Sequence, residues 1–117
     1  MIWIKLGALF MFLGVALGAF GAHALKPKMT EHYFEVYKTG VLYHLIHAMG
    51  LFVVAWLITQ ANNPKLNWVG ILLIIGILLF SGSLYILSIT GQKWLGAITP
   101  LGGLAFLAAW IFLIFCG

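Results

Sequence analysis

The chain has 117 residues, of which 64% are hydrophobic and only 7% are charged. A soluble domain carries about a quarter charged residues, and a chain this short buries only part of its apolar surface. These proportions exclude a soluble fold. All six basic residues are lysines, so no arginine fork is available for phosphate, and the net charge of +4 indicates membrane-flanking lysines rather than nucleic-acid binding.

Four apolar stretches occupy most of the chain, and each is long enough to cross the roughly 30 Å hydrocarbon core of a bilayer. These spans one to four run over approximately 4–25, 39–61, 66–90 and 96–116. Short connections such as 60–65 and 90–94 join antiparallel neighbours. The sequence therefore predicts an all-α integral membrane protein whose four transmembrane helices form an up-down bundle, with residues 1–117 as a single transmembrane domain.

Span one is rich in small residues. Gly14, Gly18 and Gly21 recur at i, i+4 and i+7, so they share one helical face on which another helix can approach closely. The opposite face, which carries Ala16 and His23, is small as well. A helix with small side chains on both faces is expected to pack against other helices on both faces, either within one chain or through a homo-oligomer.

The segment between spans one and two predicts a short helix at the membrane surface. Pro27 disfavours helix at the residue before it, and Thr30 is a suitable N-cap for a new helix. Glu31 and Glu35 then fall in the first turns, where carboxylates suit the positive helix end. With its aromatic side, this segment predicts an interfacial helix over approximately 30–38 that runs on into span two.

The lysines predict the orientation in the plasma membrane. More of them lie on the side of the first and third connections than on the other side. The first group is Lys26, Lys28, Lys38 and Lys93, and the second is Lys5 and Lys65. Cytoplasmic loops carry the excess of lysine, so the first and third connections are expected to be cytoplasmic. Trp3, Trp68 and Trp94 fall near span ends, as expected of aromatic residues that anchor spans at the interface.

Span two carries the most informative polar residues. Tyr33, Tyr37, Gly40, His44 and His47 recur every three or four residues and so line one helical face. His44 and His47, at i and i+3, can point at a common atom. Ionisable groups inside a membrane are costly and face the bundle interior by default. These histidines are therefore the centre of the candidate site.

Other polar residues reach the same leaflet from the remaining spans. The candidate ligand-binding set is His23, Tyr43, His44, His47, Ser81, Ser83 and Thr99. Three interpretations remain open. The imidazoles could hydrogen-bond within the bundle and hold the helices together; they could line a pocket for a lipid or quinone; or His23, His44 and His47 could bind a metal or haem. No cofactor is required by the pattern.

Several kinds of chemistry are excluded by what the spans lack. No Asp, Glu, Lys or Arg lies at the centre of a span, so a charge-based proton or ion path is missing. Ser81-Gly82-Ser83 is not a nucleophile elbow, which needs glycine two residues on either side of serine. Cys116, the single cysteine, can form no intramolecular disulfide. No catalytic residue is identified, which argues against an enzyme.

Four blocks, one per span, resemble a known family. They are Gly18–Leu25, Tyr43-His44-x-x-His47-Ala48, Leu79–Tyr85 and Ile98–Gly103. In this order they resemble domain-of-unknown-function family 423, the YgdD- and YwdK-like small bacterial membrane proteins. The resemblance implies a four-helix integral protein of the plasma membrane and names no activity.

Taken together, these features predict a non-enzymatic membrane protein with a structural or accessory role in the cell envelope, in contact with the lipid bilayer and with a protein partner that the sequence does not identify. The alternative is a binding protein for a lipid, quinone or metal that uses the histidine cluster. A binding protein requires a cavity on which the imidazole nitrogens converge. A structural role leaves those nitrogens bonded to the protein itself.

Overall fold

The computed structural model describes residues 2–116, and within them it contains four helices that are long and apolar enough to cross a membrane. They are α1 (Ile2–Lys28), α2 (Glu31–Ala61), α3 (Leu66–Thr90) and α4 (Lys93–Cys116). Each corresponds to one predicted span, and no strand occurs in the described part of the chain. The four-helix, all-α prediction is confirmed.

The helices run up and down in chain order. α2 packs against α1 on one side and α3 on the other, and α3 packs against α4. The short connections force each helix to return beside its predecessor. The bundle is 47 Å long, which matches the roughly 40–45 Å of a bilayer with its headgroup regions.

Glycines set the close approach of α1 to α2. Gly7, Gly14 and Gly21 are seven residues apart, and a Cβ at any of them would press on a side chain of α2. The α2 residues that they meet are also seven apart, in the opposite direction: Leu51, His44 and Tyr37. Gly18 meets Val41 between them. The predicted glycine face of span one therefore packs within the chain, along an antiparallel heptad seam.

The other face of α1 is not packed within the described residues. Ala19 and His23 are exposed, and Phe12 and Phe20 are 69% and 76% exposed. Both faces of α1 were expected to pack. Within the described residues only the glycine face does so, against α2. α1 lies at the edge of the bundle.

Two helices each contain one stretch of π-helix, Ala16–Gly21 in α1 and Ile77–Ser81 in α3. In a π-turn the carbonyl bonds to the fifth residue along the chain, as the Leu17 oxygen does to the Ala22 N–H. Both stretches lie level with the polar residues of α2. They reshape the backbone where side chains of a neighbouring helix reach it.

The predicted N-cap of α2 is confirmed, because the Thr30 hydroxyl accepts a hydrogen bond from the Tyr33 N–H at 3.2 Å. The segment 30–38 runs on into span two without a break. Those residues are the first turns of one unbroken 31-residue helix, roughly 46 Å long at 1.5 Å per residue. Gly40 does not interrupt it, and the Tyr85 ring packs against this glycine. A helix of this length extends beyond the hydrocarbon core.

The second connection lies at the apolar end of the bundle. The core there is formed by buried aliphatic and aromatic side chains: Trp3, Leu51, Val54, Ala55, Leu66, Val69, Leu73, Ile77, Phe106 and Ala109. Trp3 lies at this end of the bundle as well, where it is only 6% exposed and its indole N–H donates to Asn67 Oδ1 at 2.7 Å. It fills the space above Gly70, where a side chain would collide with it. Trp68 and Trp94 are exposed, as anchoring residues would be.

Candidate functional site

His44 joins three helices. Its Nε2 lies 2.7 Å from the Phe10 carbonyl oxygen of α1, and its Nδ1 lies 2.7 Å from the Tyr85 hydroxyl of α3. Gly14 makes this possible, because a Cβ there would lie 3.2 Å from the imidazole Cδ2. The missing side chain lets the ring of His44 reach the backbone of α1.

These partners fix the state of the His44 ring. A carbonyl can only accept, so Nε2 carries the proton that bonds to Phe10. In the neutral ring Nδ1 is then the acceptor, and Tyr85 donates to it. Both nitrogens of His44 are therefore bonded to protein, and the cost of a charge inside a membrane favours the neutral ring.

His47 faces a different neighbour. Its Nδ1 donates to the Tyr43 carbonyl oxygen at 2.8 Å, and its Nε2 accepts from the indole N–H of Trp110 in α4 at 3.0 Å. An indole N–H can only donate, so this ring is neutral with its proton on Nδ1, opposite to His44. The ring also stacks on Phe106, with centroids 3.6 Å apart.

The two histidines therefore do not converge on one atom. Residues three apart on a helix point about 60° apart, and here that angle directs His44 to α1 and α3 and His47 to α4. Neither ring keeps a free nitrogen. The possibility that the two imidazoles point at a common atom is not realised in this structure.

A tyrosine repeats the contact of His44 one heptad away. The Tyr37 hydroxyl donates to the Leu17 carbonyl oxygen at 2.5 Å, beside Gly21, as His44 donates to the Phe10 carbonyl beside Gly14. In both cases the glycine is four residues after the carbonyl that accepts. This arrangement ties α2 to the backbone of α1 twice.

The hydroxyls of the candidate set form separate links between helices. Ser81 donates to the Gly40 carbonyl oxygen at 2.7 Å and so joins α3 to α2. Ser83 and Thr99 lie 2.6 Å apart and join α3 to α4. Ser83 is also 2.9 Å from the Phe80 carbonyl oxygen. Thr99 in turn lies 3.4 Å from the Leu95 carbonyl oxygen, so each hydroxyl has a carbonyl acceptor in its own helix and either one can donate in the bond between them.

His23 lies apart from the other histidines. It is exposed on α1, because a residue two positions after Gly21 is rotated about 200° from the glycine face that packs on α2. Within residues 2–116, no group of three or more His, Cys, Asp or Glu side chains could hold a metal ion. The structure thus does not bring His23, His44 and His47 together.

The buried polar groups are fully bonded. Among residues 2–116, every buried side-chain nitrogen and oxygen has a hydrogen-bond partner. Buried polar atoms without partners cost free energy in an apolar interior, and a site that awaits a ligand often keeps one. The interior of this bundle offers no such atom.

A groove lies beside this network, on the surface between α2 and α4. This α2–α4 groove has a volume of about 700 Å³. Its lining is almost wholly apolar and includes five aromatic rings: Tyr43, His47, Phe80, Phe106 and Trp110. Ile46, Pro100, Gly103, Leu104 and Leu107 complete it. The groove is open to the surroundings of the bundle, because Leu104 and Leu107 are exposed.

The model for "Protein of unknown function (DUF423)" matches residues 17–103. The chain belongs to the DUF423 family. It is similar to the UPF0382 membrane protein YwdK of Bacillus subtilis (strain 168), with 52% identity over 114 residues that cover 97% of this chain and 93% of that protein. It is also 45% identical over 113 residues to the UPF0382 membrane protein SH2409 of Staphylococcus haemolyticus (strain JCSC1435), covering 97% and 92% of the two chains.

These relatives are named membrane proteins, in agreement with the four apolar helices. This DUF423 member is therefore a multi-pass membrane protein of a family without an assigned function, and no enzymatic role is indicated. No solved structure matches the chain.

Sequence reasoning missed some partners of the histidines in this DUF423 protein. Phe10 and Trp110 lie outside the matched stretch 17–103, and Phe10 contributes only a backbone oxygen, which no sequence pattern marks. Trp110 carried a usable signal, since it is a tryptophan inside a span rather than at its end. Tyr85 carried another, as a hydroxyl inside span three level with His44.

Proposed function

We propose that this DUF423 protein is a non-enzymatic component of the bacterial plasma membrane with a structural or accessory role. Its histidines hold the bundle rigid rather than carry out chemistry. The observation that supports this most is that all four ring nitrogens of His44 and His47 bond to groups of the same chain. A catalytic or ligating imidazole needs at least one nitrogen directed at its substrate or metal.

The same geometry speaks against a resident metal or haem. Binding through His44 or His47 would require breaking a bond to Phe10, Tyr85, Tyr43 or Trp110. His23 could join neither of them without moving from the outer face of α1. We propose no cofactor for this site.

An accessory role requires a surface for a partner, and we place it on the outer face of α1. Phe12 and Phe20 project there, and Ala8, Ala16 and Ala19 lie between and beside them. Small residues beside large ones allow a second helix to pack closely. The partner proposed here is a second copy of this chain. Cross-linking of an Ala19→Cys variant in a Cys116→Ser background tests it, and a monomer in native membranes contradicts it.

The lysine distribution supports an orientation with the first and third connections in the cytoplasm, since four of the six lysines lie on that side. Cysteine labelling separates the two orientations. A Gln92→Cys variant in the Cys116→Ser background should resist an impermeant maleimide in intact cells and react once the membrane is opened. Reaction in intact cells would reverse the orientation.

Complementation of a deletion strain tests the structural role. The strain is expected to tolerate detergent and osmotic stress less well than its parent. The variants His44→Gln and His47→Phe, if present at the normal level, should restore tolerance, because a folded bundle is all that is needed. A folded variant that fails to restore it would show that the imidazoles have a chemical role. A deletion strain with undiminished tolerance would contradict the envelope role.

A further inference from the structure

The α2–α4 groove contains one polar group that the fold leaves unused. Tyr43 lines the groove and is 39% exposed. Its backbone oxygen accepts from His47, but its hydroxyl makes no hydrogen bond to any residue in 2–116. A hydroxyl that faces hydrocarbon without a partner costs free energy. The groove therefore offers a hydrogen-bond donor and needs an acceptor.

The position of Tyr43 sets the depth of that acceptor. It lies five residues after Lys38 on α2, which is about 7–8 Å further into the bundle along the helix axis. Along α4 the groove runs from Pro100 to Trp110, a length of roughly 15 Å. A ligand bound there would keep its acceptor near the Tyr43 level and extend an apolar tail along the groove.

The lining also indicates which head group fits. None of the ten lining residues carries a charge, since His47 is held as a neutral ring. Phospholipid phosphates are recognised by lysine and arginine, and the groove supplies neither. What it supplies is a wall of aromatic rings, in which Tyr43 is the most exposed and His47 and Phe106 are each only 5% exposed, and a flat ring stacks favourably on such an exposed ring. The ring centroid of Tyr43 lies 4.7 Å from that of Phe80 in this wall.

We propose that the α2–α4 groove binds an isoprenoid quinone. The ring of the quinone would lie against the aromatic wall, and one carbonyl oxygen would accept from the Tyr43 hydroxyl. The prenyl tail would lie over Leu104 and Leu107 toward Trp110. The proposal concerns binding and includes no electron transfer, and it does not depend on the structural role of the histidines.

Gly103 provides the sharpest way to close the groove. A Cβ at this position would lie 3.9 Å from Phe80 Cδ2, an ordinary contact, so a larger side chain fits the fold and fills the groove. Gly82 is the matched control. It is also a glycine inside a span, but a Cβ there has nothing within 4 Å, and it does not line the groove.

The experiment measures quinone retained by protein purified from bacterial membranes in a mild detergent, by solvent extraction and mass spectrometry. The wild type and Gly82→Leu should retain near-stoichiometric quinone. Gly103→Leu should retain at least tenfold less, and Tyr43→Phe, which loses a single hydrogen bond, about fivefold less. Because the Tyr43 hydroxyl supports no contact in the fold, Tyr43→Phe remains informative even if Gly103→Leu fails to fold.

Each other outcome overturns the proposal. Equal trace amounts of quinone in all four proteins would show that the groove does not hold it. Phospholipid lost from Gly103→Leu in place of quinone would assign the groove to an acyl chain. A protein partner released by Gly103→Leu would make the groove a helix-docking surface.

Discussion

The two halves of this bundle are held together in different ways. In the polar half, around Tyr37–His47 of α2, side chains bond to the backbone or side chains of all three other helices. In the apolar half, around Leu51–Ile58, buried aliphatic side chains and close-packed glycines do the same work, with Trp3–Asn67 as a hydrogen bond between helices. In a membrane the helices gain little from hydrophobic burial, so packing and hydrogen bonds must supply the stability.

The difference matters because losing a hydrogen bond and overfilling a packed contact change the unfolding free energy by different amounts. An interhelical hydrogen bond in a membrane contributes about 0.6 kcal/mol on average and rarely more than about 1.7. Overfilling a tightly packed contact costs about 1–3 kcal/mol and sometimes more. We therefore expect filling of a close-packed glycine contact, in either half, to be more damaging than the loss of one hydrogen bond. The polar half should lose stability in small, separable steps.

Among the side-chain contacts of the apolar half, the largest effect is expected from Gly76→Leu. A Cβ at Gly76 would collide with the Phe106 ring, and moving that ring would disturb its stacking on His47, where the ring centroids are 3.6 Å apart. The variant should lose about 3 kcal/mol or more of unfolding free energy, or fail to fold. The measurement is unfolding in mixed micelles titrated with sodium dodecyl sulfate. Gly82→Leu is the control, and equal stability of the two variants would contradict the packing described here.

His44→Phe should be the most damaging change among the polar contacts, with a loss of about 2 kcal/mol. It removes two hydrogen bonds and leaves the Tyr85 hydroxyl without its partner. Tyr85→Phe should cost less than this alone and nothing further in the His44→Phe background. Additive losses in that double-mutant cycle would show that the two residues are not coupled.

His47→Phe should cost about 1 kcal/mol, because the new ring keeps the stacking on Phe106 and loses the bond from Trp110. A double-mutant cycle with Trp110→Phe isolates that bond. The expected coupling is between about 0.5 and 1.7 kcal/mol. A coupling of zero would show that the bond between His47 and Trp110 contributes no stability.

Ser83→Ala should have the smallest effect, about 0.6 kcal/mol, because it breaks the single link to Thr99. Ser88→Ala is the matched control, since the Ser88 hydroxyl bonds only to the Tyr85 carbonyl three residues earlier in the same helix. The control should be close to neutral. Equal effects of the two changes would mean that the Ser83–Thr99 bond between helices contributes no stability.

Much of the fold was predictable because it depends on patterns of composition. The four spans follow from hydropathy, the up-down order from short loops, and the start of α2 from the Thr30 cap. The glycine face was also predictable, from spacing alone. The sequence also predicted that 30–38 runs on into span two, but not that both form one helix, because an amphipathic first segment has the same pattern whether it lies on the surface or extends the span.

The candidate site was predicted less well. Spacing correctly placed His44 and His47 inside the bundle but not their partners, because each partner lies on another helix and one is a backbone oxygen. His23 was grouped with them by depth alone. Its position opposite the glycine face already indicated that it would point outward once that face packed on α2.

The measurement that tests the structural role of the histidines most directly is ¹⁵N solid-state NMR of histidine-labelled protein in bilayers, with His23 and His32 replaced by glutamine. We expect two neutral rings of opposite tautomer, His44 with its proton on Nε2 and His47 with its proton on Nδ1. Replacing Trp110 by phenylalanine should change the second signal alone. Two rings of the same tautomer, a charged imidazolium, or signals that shift when Zn²⁺ is added would show that these nitrogens are free for chemistry.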